Sequence, residues 1–297
     1  MASLKDIRSR IDTTKNSQQI TRAMKMVSAA KLRRAQHNIV NMRPYANSIL
    51  SIIADIATTQ RVEHPLLKTT QDQSNEAKKV LLVVITSDRG LCGGFNTNVA
   101  KFTDRFLRDN AKALAKIDVL FVGRKGADFF RRRNVRGVDT ILNLSKDISY
   151  EMAVGITTRL INAYKSGEYD EIRVVFNEFK SAISQEVVCE TLLPIDTSKA
   201  GSLGKGTAGF PPDMIFEPSP EVIIDQLIAK HFNVQVYRMM SESVAAEHGA
   251  RMTAMENATK NAGDLINSLT LTYNKVRQAN ITTELIEITS GAEALKG

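Results

Sequence analysis

Glycine is missing from the first 89 residues of this 297-residue chain, and proline first appears at Pro44. Average composition would place several of each in such a stretch. These two residues weaken a helix interior most, so their absence excludes a turn-rich start. Residues 3–57 read as one long helix, bent near Pro44. Cysteine is scarce as well: Cys92 and Cys189 are the only two. That excludes a disulfide scaffold and suits a reducing compartment. Four scattered histidines, at 37, 64, 231 and 248, offer no zinc-ligand spacing, and neither metal nor cofactor is expected. No apolar run reaches the length of a bilayer span. The opening Met1-Ala2-Ser3-Leu4-Lys5-Asp6 lacks a secretory h-region and cleavage site.

What is present suffices for a core. Hydrophobic residues make up 43% and charged residues 24%, the balance of an ordinary globular chain of one large or two smaller domains. Acidic residues are scarce where basic ones are dense. Residues 1–61 hold eleven Lys/Arg against three Asp/Glu, residues 62–220 twenty-two against twenty, and residues 221–297 seven against nine. The whole excess of +8 therefore sits in the first fifth, which should seek acidic surroundings.

Both ends carry helical periodicity. Leu4, Ile7 and Ile11 fall at i, i+3, i+7; Ile20, Met24 and Val27 repeat the spacing; Leu32, Ala35, Ile39 and Met42 continue it. A stripe this narrow suits a helix packed against one partner. After Pro218 and Pro220 no proline follows. Val234, Tyr237, Val244, Met255, Ala258, Ala262, Leu265, Leu269, Val276 and Ala279 track a heptad-like seam. At the α-helical rise the two helices would be roughly 80 and roughly 100 Å long, and helices of that length need a partner. The expected pairing is an antiparallel two-stranded coiled coil of the chain's own ends. A bundle of shorter helices, broken at polar seam positions such as Gln18 and Thr21, is the alternative.

The middle has another texture. Residues 79–86, 117–122, 171–179 and 187–193 are β-branched and apolar runs, the first continuous enough for a strand buried on both faces. Helix-like segments lie at 98–115, 126–133 and 150–166. Alternation of this kind predicts a mostly parallel α/β layer whose last pair is an antiparallel edge. The fold class expected is therefore α/β: a long antiparallel coiled coil with an inserted Rossmann-like domain. Its parts are residues 1–59 (first helix), 76–196 (α/β domain), 197–220 (a Gly/Ser/Pro-rich flexible loop) and 221–297 (last helix).

Candidate chemistry is sparse. The turn 87–96, Ser-Asp-Arg-Gly-Leu-Cys-Gly-Gly-Phe-Asn, follows the first strand, where α/β proteins hold phosphates. It matches neither G-x-x-x-x-G-K-[ST] nor G-x-G-x-x-G, and a tight crossover explains its glycines equally. Cys92 beside Arg89 has no histidine near it in sequence and reads as a core cysteine. Gly123-Arg124-Lys125-Gly126 is a weaker turn of the same kind, and Arg131-Arg132-Arg133 reads as a solvated face. Glu284 and Glu287 share a helical face but lack the cleft that acid–base work needs. These features point to a mechanical or binding protein rather than an enzyme.

A resemblance enters at both ends. Residues 281–294, Ile-Thr-Thr-Glu-Leu-Ile-Glu-Ile-Thr-Ser-Gly-Ala-Glu-Ala, closely resemble the C-terminal signature of the gamma subunits of rotary F-type ATP synthases. Residues 4–8, 20–27, 87–93 and 251–258 are similar to other motifs of that family, in the same order, and the likeness runs from residue 3 to 295. It implies a non-catalytic rotor shaft threading a ring of alternating alpha and beta subunits. The α/β domain would sit below, against an epsilon subunit and a membrane ring of c subunits. Ion-driven rotation would then force each catalytic beta subunit through its states. Neither nucleic acid nor a direct membrane span is implied. By match to family motifs, Met24 and Lys25 would meet an acidic lever of the beta subunit, while Arg251, Gln278, Thr282 and Glu284 would serve a polar catch and the upper shaft. Cys92 and Cys189 are not placed like the chloroplast family's regulatory pair, so thiol control is not expected. The family start aligns with Ser3-Leu4, which favours a bacterial chain on the cytoplasmic face of the inner membrane. Two rivals follow from the residues alone: a nucleotide-binding α/β enzyme using turn 87–96, and a nucleic-acid-binding coiled coil using the basic first helix.

Overall fold

A computed structural model describes residues 3–59, 64–67, 77–142, 148–195 and 217–294. The element order is α1 (Leu4–Thr59), β1 (Lys79–Ile85), α2 (Phe95–Asn110), β2 (Lys116–Val122), α3 (Arg124–Arg131), β3 (Asp139–Ile141), α4 (Tyr150–Lys165), β4 (Glu171–Phe179), β5 (Gln185–Leu193) and α5 (Pro220–Ala294). The loop expected over 197–220 lies, as far as residue 216, outside the described residues. Two compact units result, one of Met1–Ser28 with Arg251–Gly297, the other of Ala29–Ala250.

In the first unit α1 and α5 run antiparallel. Gln18 Nε2 donates to the Thr259 carbonyl at 3.3 Å, Thr21 Oγ1 lies 2.8 Å from Thr259 Oγ1, and Lys25 Nζ pairs with Glu256 at 2.7 Å. Sequence number falls on one helix as it rises on the other. This supports the expected pairing of the ends, but the phase of the seam differs from the sequence reading. On α1 every member of the series Leu4, Ile7, Ile11, Thr14, Gln18, Thr21, Lys25, Ser28 is buried or half-buried. The spacing alternates three and four, a strict 3.5-residue period. Ile20 and Val27, read as seam residues, are instead 61% and 57% exposed. On α5 the inward series is Met255, Thr259, Ala262, Ile266, Leu269, Tyr273, Val276, while Leu265 and Ala279 face out. The apolar flanks set the phase, and a polar middle is carried along with them. Thus hydrophobicity alone misplaced the stripe by a fraction of a turn.

The second unit is a five-stranded sheet of order β3-β2-β1-β4-β5. β1 pairs in parallel with β2 and β4, β2 with β3, and β5 closes the sheet antiparallel to β4. The pleat sends alternate residues to opposite faces, so β1 feeds two cores. Leu81, Val83 and Ile85 join Leu120, Val174, Leu160, Ile53, Phe232 and Met240 on one face. Leu82 and Val84 join Val99, Phe121, Phe130 and Val175 on the other. Each such fully buried aliphatic or aromatic side chain contributes about 1.5–3 kcal/mol. α2 and α3 cover the second face, and α4 with parts of α1 and α5 the first. The three-residue strand β3 escaped the sequence reading; it is too short to show a period. α5 was expected to carry only a heptad seam, yet every residue from Met239 to Gly249 is buried. Here it is a core helix surrounded by neighbours.

Candidate functional site

Two places deserve the name of site on sequence grounds: the glycine turn after β1 and the paired helices of the first unit. The turn lies where the strand order reverses, between β1 and β4, the crevice in which open α/β sheets receive nucleotides. Here that crevice is filled. Cys92 and Phe95 pack on Ala246 of α5, with Phe179 and Ala250 against them. Asn177 Nδ2 donates to the Phe95 carbonyl, and a side chain at Gly249 would stand 3.1 Å from the Ala182 carbonyl oxygen.

Ser87 and Asn96, the polar side chains at the two ends of the turn, are used internally. Ser87 N donates to Asn96 Oδ1 at 2.9 Å, Ser87 Oγ to the Arg89 carbonyl at 2.6 Å, and Asn96 Nδ2 to Cys92 Sγ at 3.2 Å. Leu91 and Gly93 both take positive φ. Together with Thr86, the turn also caps α3, beyond β2. The N–H groups of Arg124, Lys125 and Gly126 donate to Asp88 Oδ1, the Ser87 carbonyl and Thr86 Oγ1. The N-terminus of α3 therefore has its donors spent. A nucleotide at 87–96 would have to displace α5 and these caps together.

In the first unit, an open groove of about 500 Å³ is lined by Gln18, Arg22, Lys25, Glu256, Thr259 and Lys260, among others. Met24 is half-buried beside it, next to exposed Ala23, Met26 and Val27. Lys25 keeps 39% of its side chain exposed although it pairs with Glu256, and a pair this open adds little stability. Arg251 is buried, with 8% exposure. Gln278, Thr282 and Glu284 lie elsewhere, on the last turns of α5, where every described side chain beyond Val276 is exposed. Thr282 Oγ1 donates to the Gln278 carbonyl at 2.9 Å, an ordinary back-bond within the helix. In the antiparallel register, Leu4 falls opposite the turn around Val276. Beyond it α5 presents Ile281, Leu285, Ile286 and Ile288 with no partner among the described residues. The six residues singled out from sequence thus divide, with Met24, Lys25 and Arg251 on the paired section and Gln278, Thr282 and Glu284 on the unpaired end. Sequence reading missed Gln19, Arg22 and Lys260 as groove residues. A strict 3.5-residue count from Ile7 and Ile11 would have flanked them.

Comparison with known proteins agrees with this architecture. The family model described as ATP synthase matches residues 3–295. The ATP synthase gamma chain of Bdellovibrio bacteriovorus is 62% identical, with all of both chains covered. A chain from the Tetrahymena thermophila mitochondrial ATP synthase central stalk and c ring is 27% identical, with a TM-score of 0.60 over 80% of this chain and 99% of that one. A chain of the Euglena gracilis mitochondrial ATP synthase shares the fold, with a TM-score of 0.67, 24% identity and coverage of 98% and 94%. With its termini paired as helices around an inserted α/β unit and its whole length matched, the chain belongs to the ATP synthase gamma-chain family.

Proposed function

We propose that this chain is the central rotor shaft of a rotary ATP synthase. It couples ion-driven rotation of a c ring to ATP synthesis or hydrolysis in a hexamer of alpha and beta subunits. The observation that carries this reading is the end of α5: a helix that outlasts its antiparallel partner and bares Ile281, Leu285, Ile286 and Ile288. An isolated chain gains nothing from that exposure, whereas a shaft seated in a collar buries it. The excess of basic residues in 1–61 suits the acidic lever of a beta subunit, because complementary fields speed docking without fixing one angle. Met24 and Lys25 meet that lever, while Arg251, Gln278, Thr282 and Glu284 serve the upper shaft. Methionine packs without directional bonds, which suits a contact remade at each step.

Chemistry belongs to the partner subunits on this reading: the crevice at 87–96 is filled by α5, so the chain transmits torque and binds no reacting phosphate. The α/β unit lies against an epsilon subunit and the c ring. Among the described residues no helix is long and apolar enough to cross a membrane. The chain is peripheral, on the cytoplasmic face of a bacterial inner membrane. Detergent extraction of a tagged full-length chain tests the proposal. It should bring down alpha, beta, epsilon and c subunits; recovery without alpha and beta would overturn it.

A further inference from the structure

Successive turns of α5 carry His231, Gln235, Arg238 and Glu242, spaced four, three and four residues apart and so on one face. Arg238 joins this face to the β4–β5 hairpin. Its Nη2 donates to Glu190 Oε2 at 2.5 Å, Nε to Gln235 Oε1 at 2.9 Å and Nη1 to Glu242 Oε1 at 3.2 Å. The guanidinium stands 5.9 Å from the centre of the Phe176 ring. Glu242 is the deepest member, with 3% of its side chain exposed, and its second oxygen, Oε2, is buried with no hydrogen-bond partner among the described residues.

Charge around it does not balance. Glu190 and Glu186 lie on β5, Glu178 on β4, and Lys180 just after β4. Glu178 pairs with Lys180 at 2.9 Å, and Glu186 stands directly across the ladder from Glu178. Among the described residues named here, two cations, Arg238 and Lys180, serve four carboxylates, two of them opposed as like charges. His231 adds no cation: burial and Arg238 push its imidazole down to about 4. An uncompensated charge costs far more to bury than a neutral hydroxyl, so the deepest carboxylate is the one to be neutralised. We propose that Glu242 is a proton-binding site: a proton on Oε2 removes a buried surplus charge where α5 packs on the β4–β5 hairpin, and its loss restores that charge and loosens the contact. This rests only on residues of the α/β unit and stands apart from the rotor reading.

Burial raises the Glu242 carboxyl, Arg238 pulls it down, and Glu178 and Glu190 raise it further. Between its unfolded and folded values, a raised acid is protonated in the folded chain and ionised in the unfolded one. Its stabilising contribution is therefore full below the ordinary glutamate range and is lost as pH rises through the folded value. The folding equilibrium constant should fall by up to about tenfold per pH unit in that window. His231 acts oppositely, between about 4 and its unfolded value of 6.5, but it cancels in a difference between two chains that both carry it.

Denaturant unfolding of the full chain should be compared for wild type and Glu242→Gln between about pH 5 and about pH 8. The expected result is that the variant gains on wild type as pH rises and is the more stable at the alkaline end. Parallel pH curves, or a variant less stable throughout, would show Glu242 to be an ordinary ionised partner of Arg238 and overturn the proposal. A second variant, Glu190→Gln, covers a failure of the first to fold, since its site is 38% exposed. Freeing Arg238 for Glu242 alone should flatten the pH dependence; an unchanged dependence also overturns it.

Discussion

Gly123 shows how a single missing side chain fixes the α/β unit. It follows β2 with φ of 102°, and a Cβ there would stand 2.1 Å from the Thr86 carbonyl oxygen. Gly123→Ala would meet backbone, which cannot yield cheaply, and would strain φ besides. It should destabilise the chain by about 3 kcal/mol or more, read as a lowered urea midpoint. The sequence marked this turn as a weak phosphate motif, whereas its glycine serves close packing of β1 on the β2–α3 turn. Met24 is the residue whose test belongs to function. Met24→Lys places a charge at a half-buried apolar position of α1. It should lower proton pumping per ATP hydrolysed in membrane vesicles while subunit recovery stays normal. Unchanged pumping would remove Met24 from the lever contact.

At the scale of elements, the paired helices give the clearest comparison. Ile11 lies on the seam and Ile20 does not, although both fit a stripe drawn by hydrophobicity. Ile11→Ala should cost about 2–5 kcal/mol, and Ile20→Ala about 0.5 kcal/mol or less, measured as loss of helical signal on denaturation. Equal losses would contradict the seam's phase. The existence of both long helices was legible because glycine and proline are so sparse there. Their facing residues were not, because Thr14, Gln18, Thr21, Lys25 and Ser28 look like surface yet share one register with Ile7 and Ile11. β1, β2 and β4 were legible as buried runs. β3 has three residues and exists through its pairing with β2, which no local pattern announces.

For the molecule as a whole, the bare end of α5 decides what can be removed. Deleting residues 278–297 takes away described side chains that are all exposed. The stability of the remaining chain should change by about 0.5 kcal/mol or less, while its capture by alpha–beta hexamers weakens, as a pull-down would measure. A large loss of stability would mean that this end packs on the chain itself. By itself the sequence determined the helical ends, the α/β middle, the basic start and the family, since each is carried by local composition or by motifs in order. Only the tertiary structure decided three other things. It set the phase of the seam, which depends on both helices at once. It filled the crevice at 87–96 with Ala246 and Ala250, more than 150 residues away in sequence. And it gathered Arg238, Glu190, Glu178 and Glu242, because charges far apart along a chain interact only where packing brings them together and removes the water between them.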